Sequence, residues 1–357
     1  MTGIGHHAAN LLSALATTHS DVQYTALCAE ATADRPWASS NVRSLPVRVT
    51  GPLWEQLELP TLLQEHEIDV YHNPAFGLPV VKTTRLVCTV HDCIPRLFPQ
   101  YAPGWLRDFF EHWAPSWLRL ADHIICVSEH TRHDITHLYG IDPAKTTVIY
   151  QTANAALGPV EPSERVEAVK RRLGIDAPYV LCVGRVELRK NVAGMLEAFR
   201  LLRSRSAAPL MLVLAGPRDD DAYDPQGILP PVGRSGDVLV TGYVSSEDLA
   251  ALYSGCEVFC FPSFYEGFGI PIVEAMQCGA PVVTSRVSSM PEIGGSAGRY
   301  VDPYDPQSIA ETIAHVMADR DLRDQMVAAG LHRARDFSPG RFAAETEAAY
   351  RRTAGVA

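Results

Sequence analysis

The sequence lacks the long apolar runs and the excess of basic charge that mark two large classes of protein. No window of its 357 residues offers the roughly 18 uncharged apolar residues of a membrane-spanning helix. Acidic residues outnumber basic ones by 41 to 31, which gives a formal net charge of −10. This balance argues against nucleic acid as the main partner, because phosphate backbones bind basic surfaces. It still permits a local basic patch.

The chain also shows no secretory leader, internal repeat or metal-binding cysteine pattern. No basic segment followed by an apolar core and a cleavage site appears at the N-terminus. The eight cysteines are spread thinly, and most lie in apolar runs, which is typical of reduced, buried thiols. Cys256 and Cys260 have no second pair or histidine near them in sequence. We therefore expect a cytoplasmic protein with no metal site.

The length and the alternation of apolar segments predict two α/β domains. A chain of 357 residues is too long for one ordinary core. In the first half, short apolar runs alternate with polar or helical segments, which favours a parallel sheet with helices on both faces. The candidate strands there are 23–28, 47–49, 69–72, 86–90 and 123–127. A buried strand restarts at 178–184, so we place the domain boundary near 152–175.

The most informative stretch, 258–285, has the pattern strand, loop, helix, strand. Pro271 suits the first position of a helix, and Gly279 ends that helix. Such a loop lies at the carboxyl end of a parallel sheet, and the helix start suits a phosphate. Glu266 in the loop and Glu274 one turn into the helix would repel a bare phosphate. A sugar nucleotide, which has both phosphate and hydroxyl groups, fits this combination.

Two other strand-to-helix turns are candidates for phosphate binding. In the segment 184–191, G-R-V-E-L-R-K-N, Arg185 and Lys190 flank such a turn, although isolated basic residues are usually a solvated surface. At the N-terminus, Gly3 and Gly5 precede a helical pattern, which is typical of a phosphate loop or of a plain helix start. A doubly wound domain has a strand before such a loop, and we expect that the first strand is missing here.

Two further features have alternative interpretations. His91 directly follows a buried strand. This position is typical of a binding-site residue, but His91 could equally be a structural histidine. The aromatic residues Trp105, Phe109, Trp113 and Trp117 recur every four residues, with Pro115 expected to kink the helix. This pattern predicts core packing or, alternatively, a ledge for an acceptor or a membrane surface.

Several segments together resemble the retaining GT-B glycosyltransferases that carry the E-x7-E motif. Glu266 and Glu274 have that spacing, within P-S-F-Y-E-G-F-G-I-P-I-V-E-A-M. G-R-V-E-L-R-K-N is similar to the diphosphate-binding turn of the family, and the segment 2–10 to its N-terminal glycine loop. H-D-C-I-P-R-L-F-P and A-D-H-I-I-C-V-S-E-H-T-R resemble first-domain segments of the branch that includes bacterial O-antigen mannosyltransferases.

The resemblance implies two Rossmann-like domains with the donor in the cleft. It implies an acceptor-binding domain at 1–155, a nucleotide-sugar-binding domain at 156–336 and a C-terminal helix at 337–357 that returns to the first domain. It also implies roles for individual residues. The catalytic candidates are His91 and Glu266, and the donor-binding candidates are Gly5, Arg185, Lys190, Tyr243, Val244, Gly267, Phe268, Gly269, Ile270 and Glu274.

By the same resemblance, the protein transfers a hexose, with mannose from GDP-mannose as the best candidate. The acceptor would be a saccharide or a lipid-linked saccharide in glycan biosynthesis, with no cofactor and with a peripheral contact at the membrane surface. The alternatives are a sugar-nucleotide epimerase or phosphorylase of the same fold and a catalytically inactive sugar-nucleotide binder. The sequence also departs from the family at 148–154, where V-I-Y-Q-T-A-N stands in place of a segment like I-P-N-G-V-D, so the geometry of the interdomain hinge is expected to differ.

Overall fold

A computed structural model describes residues 3–18, 20–29, 37, 39–48, 53–161, 163–218, 227 and 229–356. The chain divides into two compact units. The first unit is Met1–Thr152 together with Phe337–Ala357, and the second is Ala153–Asp336. In the part of the chain that is described, no helix is both long and apolar enough to cross a membrane.

The helices and strands alternate along most of the chain. The helices are α1 Gly3–Leu15, α2 Trp54–Leu57, α3 Leu59–Glu65, α4 Ile94–Leu97, α5 Gly104–Asp108, α6 Ala114–Leu120, α7 Glu129–Tyr139, α8 Ser163–Leu173, α9 Val192–Arg205, α10 Ser246–Gly255, α11 Ile270–Gln277, α12 Met290–Gly294, α13 Pro306–Ala318, α14 Arg320–Ala334 and α15 Pro339–Ala354. The strands are β1 Tyr24–Ala29, β2 Val42–Val47, β3 Val70–Asn73, β4 Arg85–Val90, β5 His123–Cys126, β6 Thr146–Val148, β7 Tyr179–Val183, β8 Met211–Ala215, β9 Gly233–Ser235, β10 Val238–Gly242, β11 Val258–Phe261, β12 Val282–Ser285 and β13 Arg299–Val301.

The first unit contains two separate parallel sheets. The strands β1 and β2 form a pair, and β3, β4, β5 and β6 form a four-stranded sheet in that order. Five of the six residues of β4 are buried, as expected for a parallel strand that is covered on both faces. The C-terminal helix α15 packs against α1, and Leu11, Leu15, Phe342 and Ala343 lie in the same apolar core.

The second unit is built on one seven-stranded sheet. Its strand order is β13-β12-β11-β7-β8-β10-β9, and every pair is parallel except the one with the edge strand β9. The helices α9 and α13 contact each other and pack on one face of the sheet, where the core includes Phe199, Leu212 and Ile313. The apolar runs at 178–184, 210–215 and 258–261, a pattern that predicts buried strands, therefore form the central strands of the sheet.

Several elements differ from the sequence-based expectations. The strand expected at 47–49 is β2 at 42–47, and Val49 lies outside the described residues. The sequence pattern predicts helix over 309–335. In the structure this helix is interrupted at Asp319, whose carboxylate accepts a hydrogen bond from the Leu322 N–H at 2.9 Å and so caps α14. Helix α11 begins at Ile270, so Pro271 is its second residue. Helix α1 begins at Gly3, which places Gly5 inside the first turn.

The aromatic segment does not present one continuous apolar face to the core. A π-helical turn at Phe109–Trp113 separates α5 from α6, and Trp105 and Trp113 are 71% and 60% exposed. Phe110, which is off the four-residue repeat, is buried instead. The extra residue of the π turn shifts the helical phase, and the simple periodicity of the sequence does not reveal that shift.

Candidate active site

The turn between β7 and α9 brings basic side chains to the carboxyl edge of the second sheet. It is held by Asn191, a buried residue at φ +57°, whose side chain caps α9 and donates to the carbonyls of Pro262 and Pro303 at 3.1 and 2.6 Å. Gly184 opens the turn at φ +127°. A β-carbon there would lie 3.0 Å from Cε of Lys190, so glycine leaves room for the lysine stem.

Two cations of this turn form a cluster with a carboxylate from the loop between β11 and α11. Both Nζ of Lys190 and Nη1 of Arg189 lie 2.9 Å from Oε1 of Glu266, and all three side chains are at most 15% exposed. Nζ of Lys190 also sits 4.6 Å above the centre of the Phe261 ring. Arg189 bonds the carboxylate of Glu187 as well and donates to the Tyr265 carbonyl at 2.8 Å. We call Arg189, Lys190 and Glu266 the cation–carboxylate cluster.

The electrostatics of this cluster favour an ionised Glu266. Burial by itself would raise the pKa of Glu266, but Arg189 and Lys190, together with the Lys190 hydrogen bond, outweigh burial and lower that pKa to about 2. The carboxylate is therefore charged at neutral pH, and it balances part of the positive charge on the turn. An incoming anion would meet two cations that are already oriented and largely shielded from bulk water.

The loop that carries Glu266 is fixed by a neighbouring pair of serines. Ser289 donates to the carbonyls of Glu266 and Phe268, both at 2.9 Å, and the Glu266 N–H donates to Oγ of Ser288 at 3.1 Å. Gly269 then enters α11 at φ +98°, a conformation that L side chains rarely adopt. The predicted residues Gly267, Phe268 and Gly269 are buried around the start of this helix, and Ile270 is half-buried.

Glu274 occupies an environment opposite to that of Glu266. Its Oε2 accepts a hydrogen bond from the hydroxyl of the fully buried Tyr253 at 3.0 Å. Burial raises the pKa of Glu274 to about 6, and the Tyr253 hydrogen bond opposes that rise only in part. The two carboxylates of the E-x7-E spacing therefore differ by about four units in pKa, because only Glu266 has cationic neighbours.

The other donor-binding candidates of this unit lie at its surface. Arg185 is exposed at the start of the β7–α9 turn, Tyr243 is 84% exposed after β10, and Val244 is half-buried. The acidic run at 219–221 stands among proline and glycine residues, a sequence pattern typical of a solvated loop, and it lies outside the described residues. Among the residues that are described, no group of three or more His, Cys, Asp or Glu side chains is arranged to hold a metal ion.

In the first unit, His91 belongs to a chain of hydrogen bonds at the end of β4. Its Nε2 lies 2.8 Å from the Pro74 carbonyl, so Nε2 carries the proton and Nδ1 is the acceptor. Nε2 of Gln151 lies 3.5 Å from that acceptor, and Oε1 of Gln151 lies 3.2 Å from Nδ1 of His7. The rings of His7 and His91 meet edge to face, with centres 4.6 Å apart.

A third histidine lies behind this pair and is bonded through both ring nitrogens. His72 contacts the Tyr350 hydroxyl at 2.6 Å and the Thr89 hydroxyl at 2.8 Å. Burial lowers the pKa of His72 to about 3, and burial likewise lowers the pKa of His7 and of His91. At neutral pH these three rings are therefore uncharged. Gly5 lies two residues before His7, in the first turn of α1.

Some of the predicted residues thus lie together and others do not. In the second unit, Lys190 contacts Glu266, while Glu274 has a different partner in Tyr253. Sequence reasoning missed Arg189, Tyr253 and Gln151. Arg189 could have been found, because it stands beside Lys190 in the same turn. Tyr253 and Gln151 had no such signal, since each meets its partner only through the tertiary fold.

Comparison with protein families accounts for both halves of the chain. The model for glycosyl transferases group 1 matches residues 166–333, and the model for glycosyltransferase family 4 matches residues 1–156. O-antigen chain mannosyltransferase B of Escherichia coli is 34% identical over 291 residues, which span 81% of this chain and 76% of that protein. The chain therefore belongs to the group 1 / family 4 glycosyltransferases. It is a retaining hexosyltransferase, and its two Rossmann-like α/β units have the GT-B fold.

More distant matches agree with the family. The serotype-specific mannosyltransferase WbdA of Escherichia coli is 28% identical over 71% of this glycosyltransferase, which spans about a third of the WbdA length (32%). The crystal structure of Anabaena Alr3699/HepE in complex with UDP-glucose has a TM-score of 0.64 and 19% identity. That match covers 86% of each chain, and at this identity it shows the shared fold.

Proposed function

We propose that this glycosyltransferase moves mannose from GDP-mannose to a hydroxyl of a saccharide or lipid-linked saccharide during glycan biosynthesis. The choice of mannose is supported by the relation to O-antigen chain mannosyltransferase B. The general class of donor, a nucleotide-sugar, is supported by the cation–carboxylate cluster, which offers cations for a diphosphate and a carboxylate for sugar hydroxyls. That cluster is the observation on which the proposal depends most.

The assignment of individual roles follows from the chemistry of each position. Lys190 and the exposed Arg185 bind the donor diphosphate, together with the backbone at Gly267–Ile270 and the start of α11. Glu274 accepts hydrogen bonds from the ribose hydroxyls, and Glu266 contacts the transferred sugar. Tyr243 and Val244 border the base. Gly5 and His91 belong to the first unit, and their roles with the donor phosphate and at the reacting sugar remain predictions from the family resemblance.

The reaction separates charge, and basic and acidic side chains of the second unit suit the two charges that form. The bond between the anomeric carbon and the diphosphate oxygen breaks, which leaves negative charge on the diphosphate and positive character on the sugar ring. Lys190 and Arg185 stabilise the first, and Glu266 stabilises the second. The acceptor oxygen then bonds to the anomeric carbon on the face that the diphosphate leaves, and its proton passes to the departing phosphate. Retention of configuration follows.

Donor identity is tested directly by binding. GDP-, UDP- and ADP-sugars are added to the protein in a thermal-shift measurement, because a ligand that binds only the folded state raises the melting temperature. GDP-mannose is expected to give the largest shift, and a larger shift with another sugar nucleotide overturns the mannose assignment. Transfer is then followed with the best donor and a panel of saccharide acceptors. Donor hydrolysis at a rate equal to transfer would contradict the transferase proposal.

The ribose role has a separate test. Glu274→Ala is expected to abolish the rise in melting temperature that the best donor produces. The matched control is Glu247→Ala, which changes an exposed carboxylate on α10 and should leave that rise intact. An unchanged shift with Glu274→Ala would remove the ribose assignment without affecting the choice of donor.

A further inference from the structure

The two cations that face Glu266 are held very differently. Arg189 bonds the Glu187 carboxylate and donates to the Tyr265 carbonyl at 2.8 Å. Its Nη1 also lies 2.9 Å from Oε1 of Glu266. In the part of the chain that the structure describes, the side chain of Lys190 has one hydrogen-bond acceptor, the same Oε1 of Glu266 at 2.9 Å. Arg189 is therefore fixed from three directions, whereas Lys190 leaves by breaking a single hydrogen bond.

Arg189 also joins the loop that carries Glu266 to the β7–α9 turn. Its backbone carbonyl accepts a hydrogen bond from the Phe264 N–H at 3.1 Å, and its side chain donates to the carbonyl of the next residue, Tyr265. These two residues directly precede Glu266. Because a guanidinium offers its donors in a rigid, planar fork, Arg189 fixes the loop and the carboxylate in one geometry.

Lys190, in contrast, has the properties of a group that changes its partner. Its ammonium is a compact charge with rotatable donors on a flexible stem. The stem runs past Gly184, and Nζ lies 4.6 Å from the centre of the Phe261 ring. These three residues border a cavity of about 20 Å³, which is room for about one water molecule. A turn of Lys190 toward an anion therefore breaks one hydrogen bond to Glu266 and one contact with a ring face.

Glu274 shows how a buried carboxylate of this unit behaves without a cationic neighbour. Burial raises the pKa of Glu274 to about 6. Glu266 is buried as well, and Arg189 and Lys190 are the reason why its pKa is about 2. Without Arg189, a turn of Lys190 to another partner would leave Glu266 in the situation of Glu274. Near neutral pH it would then carry a proton part of the time.

The other groups that contact Glu266 supply no second cation. The serines at 288–289 bond its backbone and carry no charge. Glu187, which lies behind Arg189, is itself negative. Arg189 and Lys190 are the cations whose charge lowers the pKa of Glu266. When Lys190 turns away, the charge of Glu266 therefore depends on Arg189.

We propose that Arg189 is a positioning residue, which stays on Glu266 and keeps that carboxylate charged while Lys190 turns from Glu266 to the donor diphosphate. This role of Arg189 rests on the proposed function, which assigns Lys190 to the diphosphate and Glu266 to the transferred sugar. The turn of Lys190 supplies a cation to the leaving group. Arg189 preserves an ionised carboxylate for the positive sugar ring.

The experiment counts the protons that the protein takes up when a nucleoside diphosphate binds. GDP, UDP and ADP carry the diphosphate and require no assumption about the transferred sugar. Each is titrated into the full chain at pH 6 by isothermal calorimetry, in two buffers that differ in ionisation enthalpy. In Arg189→Gln, the diphosphate draws Lys190 away and leaves Glu266 without a cation. This variant should take up about half a proton more per molecule than the parent protein, because a group with a pKa of about 6 is half protonated at pH 6.

Three further variants identify the source of the proton uptake. In Arg189→Gln/Glu266→Gln the extra uptake should vanish, and uptake that persists belongs to another group such as Glu187 and overturns the proposal. Arg189→Lys keeps a cation beside Glu266 and should return the uptake to the parent value. The matched control is Arg323→Gln, which removes a partly buried arginine that pairs with Glu257 just before β11. This control should behave like the parent.

Turnover provides a second readout, measured as kcat at saturating concentration of the best donor. Between pH 7.5 and pH 5.5, kcat of Arg189→Gln should fall about fourfold more than kcat of the parent. The reason is that a carboxyl group with a pKa of about 6 goes from almost fully ionised to about one-quarter ionised over this range. Arg189→Lys should follow the parent profile. A loss of the same size at both pH values indicates a purely structural role and overturns the proposal.

Nucleotide binding by the parent protein separates a failure of this role from a failure of the proposed function. If the parent binds none of the three nucleotides, the diphosphate role of Lys190 is wrong, and both proposals fail. If the parent binds one and Arg189→Gln takes up no extra proton, the proposed function stands and the role of Arg189 is wrong. Should Arg189→Gln not fold, Glu187→Gln/Arg189→Gln replaces it, because the loss of both partners leaves no buried charge unpaired.

Discussion

Glu266 and Glu274, which have seven residues between them, differ in protonation behaviour because their neighbours differ. Glu266 faces Arg189 and Lys190, whereas Glu274 faces the hydroxyl of Tyr253 and apolar surroundings. The pKa of Glu266 is about 2 and that of Glu274 about 6. Between these values Glu274 takes up a proton while Glu266 stays charged. Of these two carboxylates, Glu274 is therefore the one that links the stability of the second unit to mildly acidic pH.

Replacing Glu274 by glutamine is expected to stabilise the second unit at neutral pH. A raised pKa means that the carboxyl group favours folding while it is protonated, and this contribution is lost as the pH rises from about 4.5 to above 6. Glutamine keeps an acceptor for Tyr253 without the buried charge, so Glu274→Gln should gain roughly 1–2 kcal/mol at pH 7.5. Denaturant unfolding at pH 7.5 and at pH 4.5 measures this gain, which should vanish at the lower pH. An equal effect at both values would contradict the prediction.

Lys190 is expected to contribute to turnover more than to folding. If Lys190 binds the leaving diphosphate as proposed, Lys190→Gln removes one oriented cation from it, and we expect kcat/KM for the donor to fall by about 100-fold or more. Lys170→Gln is the matched control, since Lys170 pairs with Glu167 one turn away on the surface helix α8. It should leave kcat/KM within about twofold. Steady-state kinetics with the best donor measures both variants, and similar losses in the two would show that Lys190 has no special role.

At the scale of elements, the β7–α9 turn depends on a close approach of two backbones. A β-carbon on Gly216 would lie 2.1 Å from the Gly184 carbonyl oxygen, and Gly216 itself has φ +146°. The Gly184 N–H donates to the Ala215 carbonyl at 2.9 Å. The ends of β7 and β8 are thereby held together directly beneath the cation–carboxylate cluster.

Gly216→Ala is therefore expected to destabilise the second unit by about 3 kcal/mol or more and to weaken donor binding with it. Gly236→Ala is the matched control, because Gly236 has φ +60° and no atom within 4 Å of an added β-carbon. That change should cost only about 1–2 kcal/mol. Thermal unfolding and donor titration of both variants distinguish the clash with the Gly184 carbonyl from the general effect of a side chain in the left-handed region. Equal losses of stability in the two variants would show that the close approach of Gly216 to Gly184 is not important.

How far the sequence predicts each element depends on whether local residues determine it. The strand at 258–261 and the helix after Gly269 were predicted correctly, because apolar runs, glycine and proline act within a few residues. The break at Asp319 was missed, since an apolar pattern continues across it. The π turn at 109–113 was missed because it changes the helical phase without a proline or glycine at its start. The contact of Lys190 with Glu266 joins residues 76 positions apart, and only the family resemblance pointed to it.

At the scale of the whole molecule, the first unit is expected to be the more sensitive to acid. Burial lowers the pKa of His7, His72 and His91, and that of His72 to about 3. A depressed histidine pKa favours folding above the unfolded value near 6.5, and this contribution is lost as the pH falls from there toward about 3. Peptides of the first unit should lose exchange protection before those of the second as the pH is lowered from 7 to 4.

His72→Gln should reduce this sensitivity, because glutamine retains polar groups for Thr89 and Tyr350 and does not titrate. The variant is expected to lose some stability at pH 7 but to show a shallower decline in melting temperature between pH 6.5 and pH 4. Hydrogen exchange read separately for each unit is the appropriate measurement, since a two-unit chain need not unfold in one step. A decline as steep as that of the parent protein would exclude His72 as a source of the acid sensitivity.

The eight free cysteines can serve as natural probes of local unfolding. Four lie in the first unit, Cys28, Cys88, Cys93 and Cys126, and four lie in the second, Cys182, Cys256, Cys260 and Cys278. Burial raises the pKa of Cys88, Cys182 and Cys278 to about 12, so these thiols are unreactive in the folded protein. After a short pulse of an alkylating reagent, the modified fraction of each cysteine, measured by peptide mass, would report how often each unit exposes its interior. No amino-acid substitution is needed.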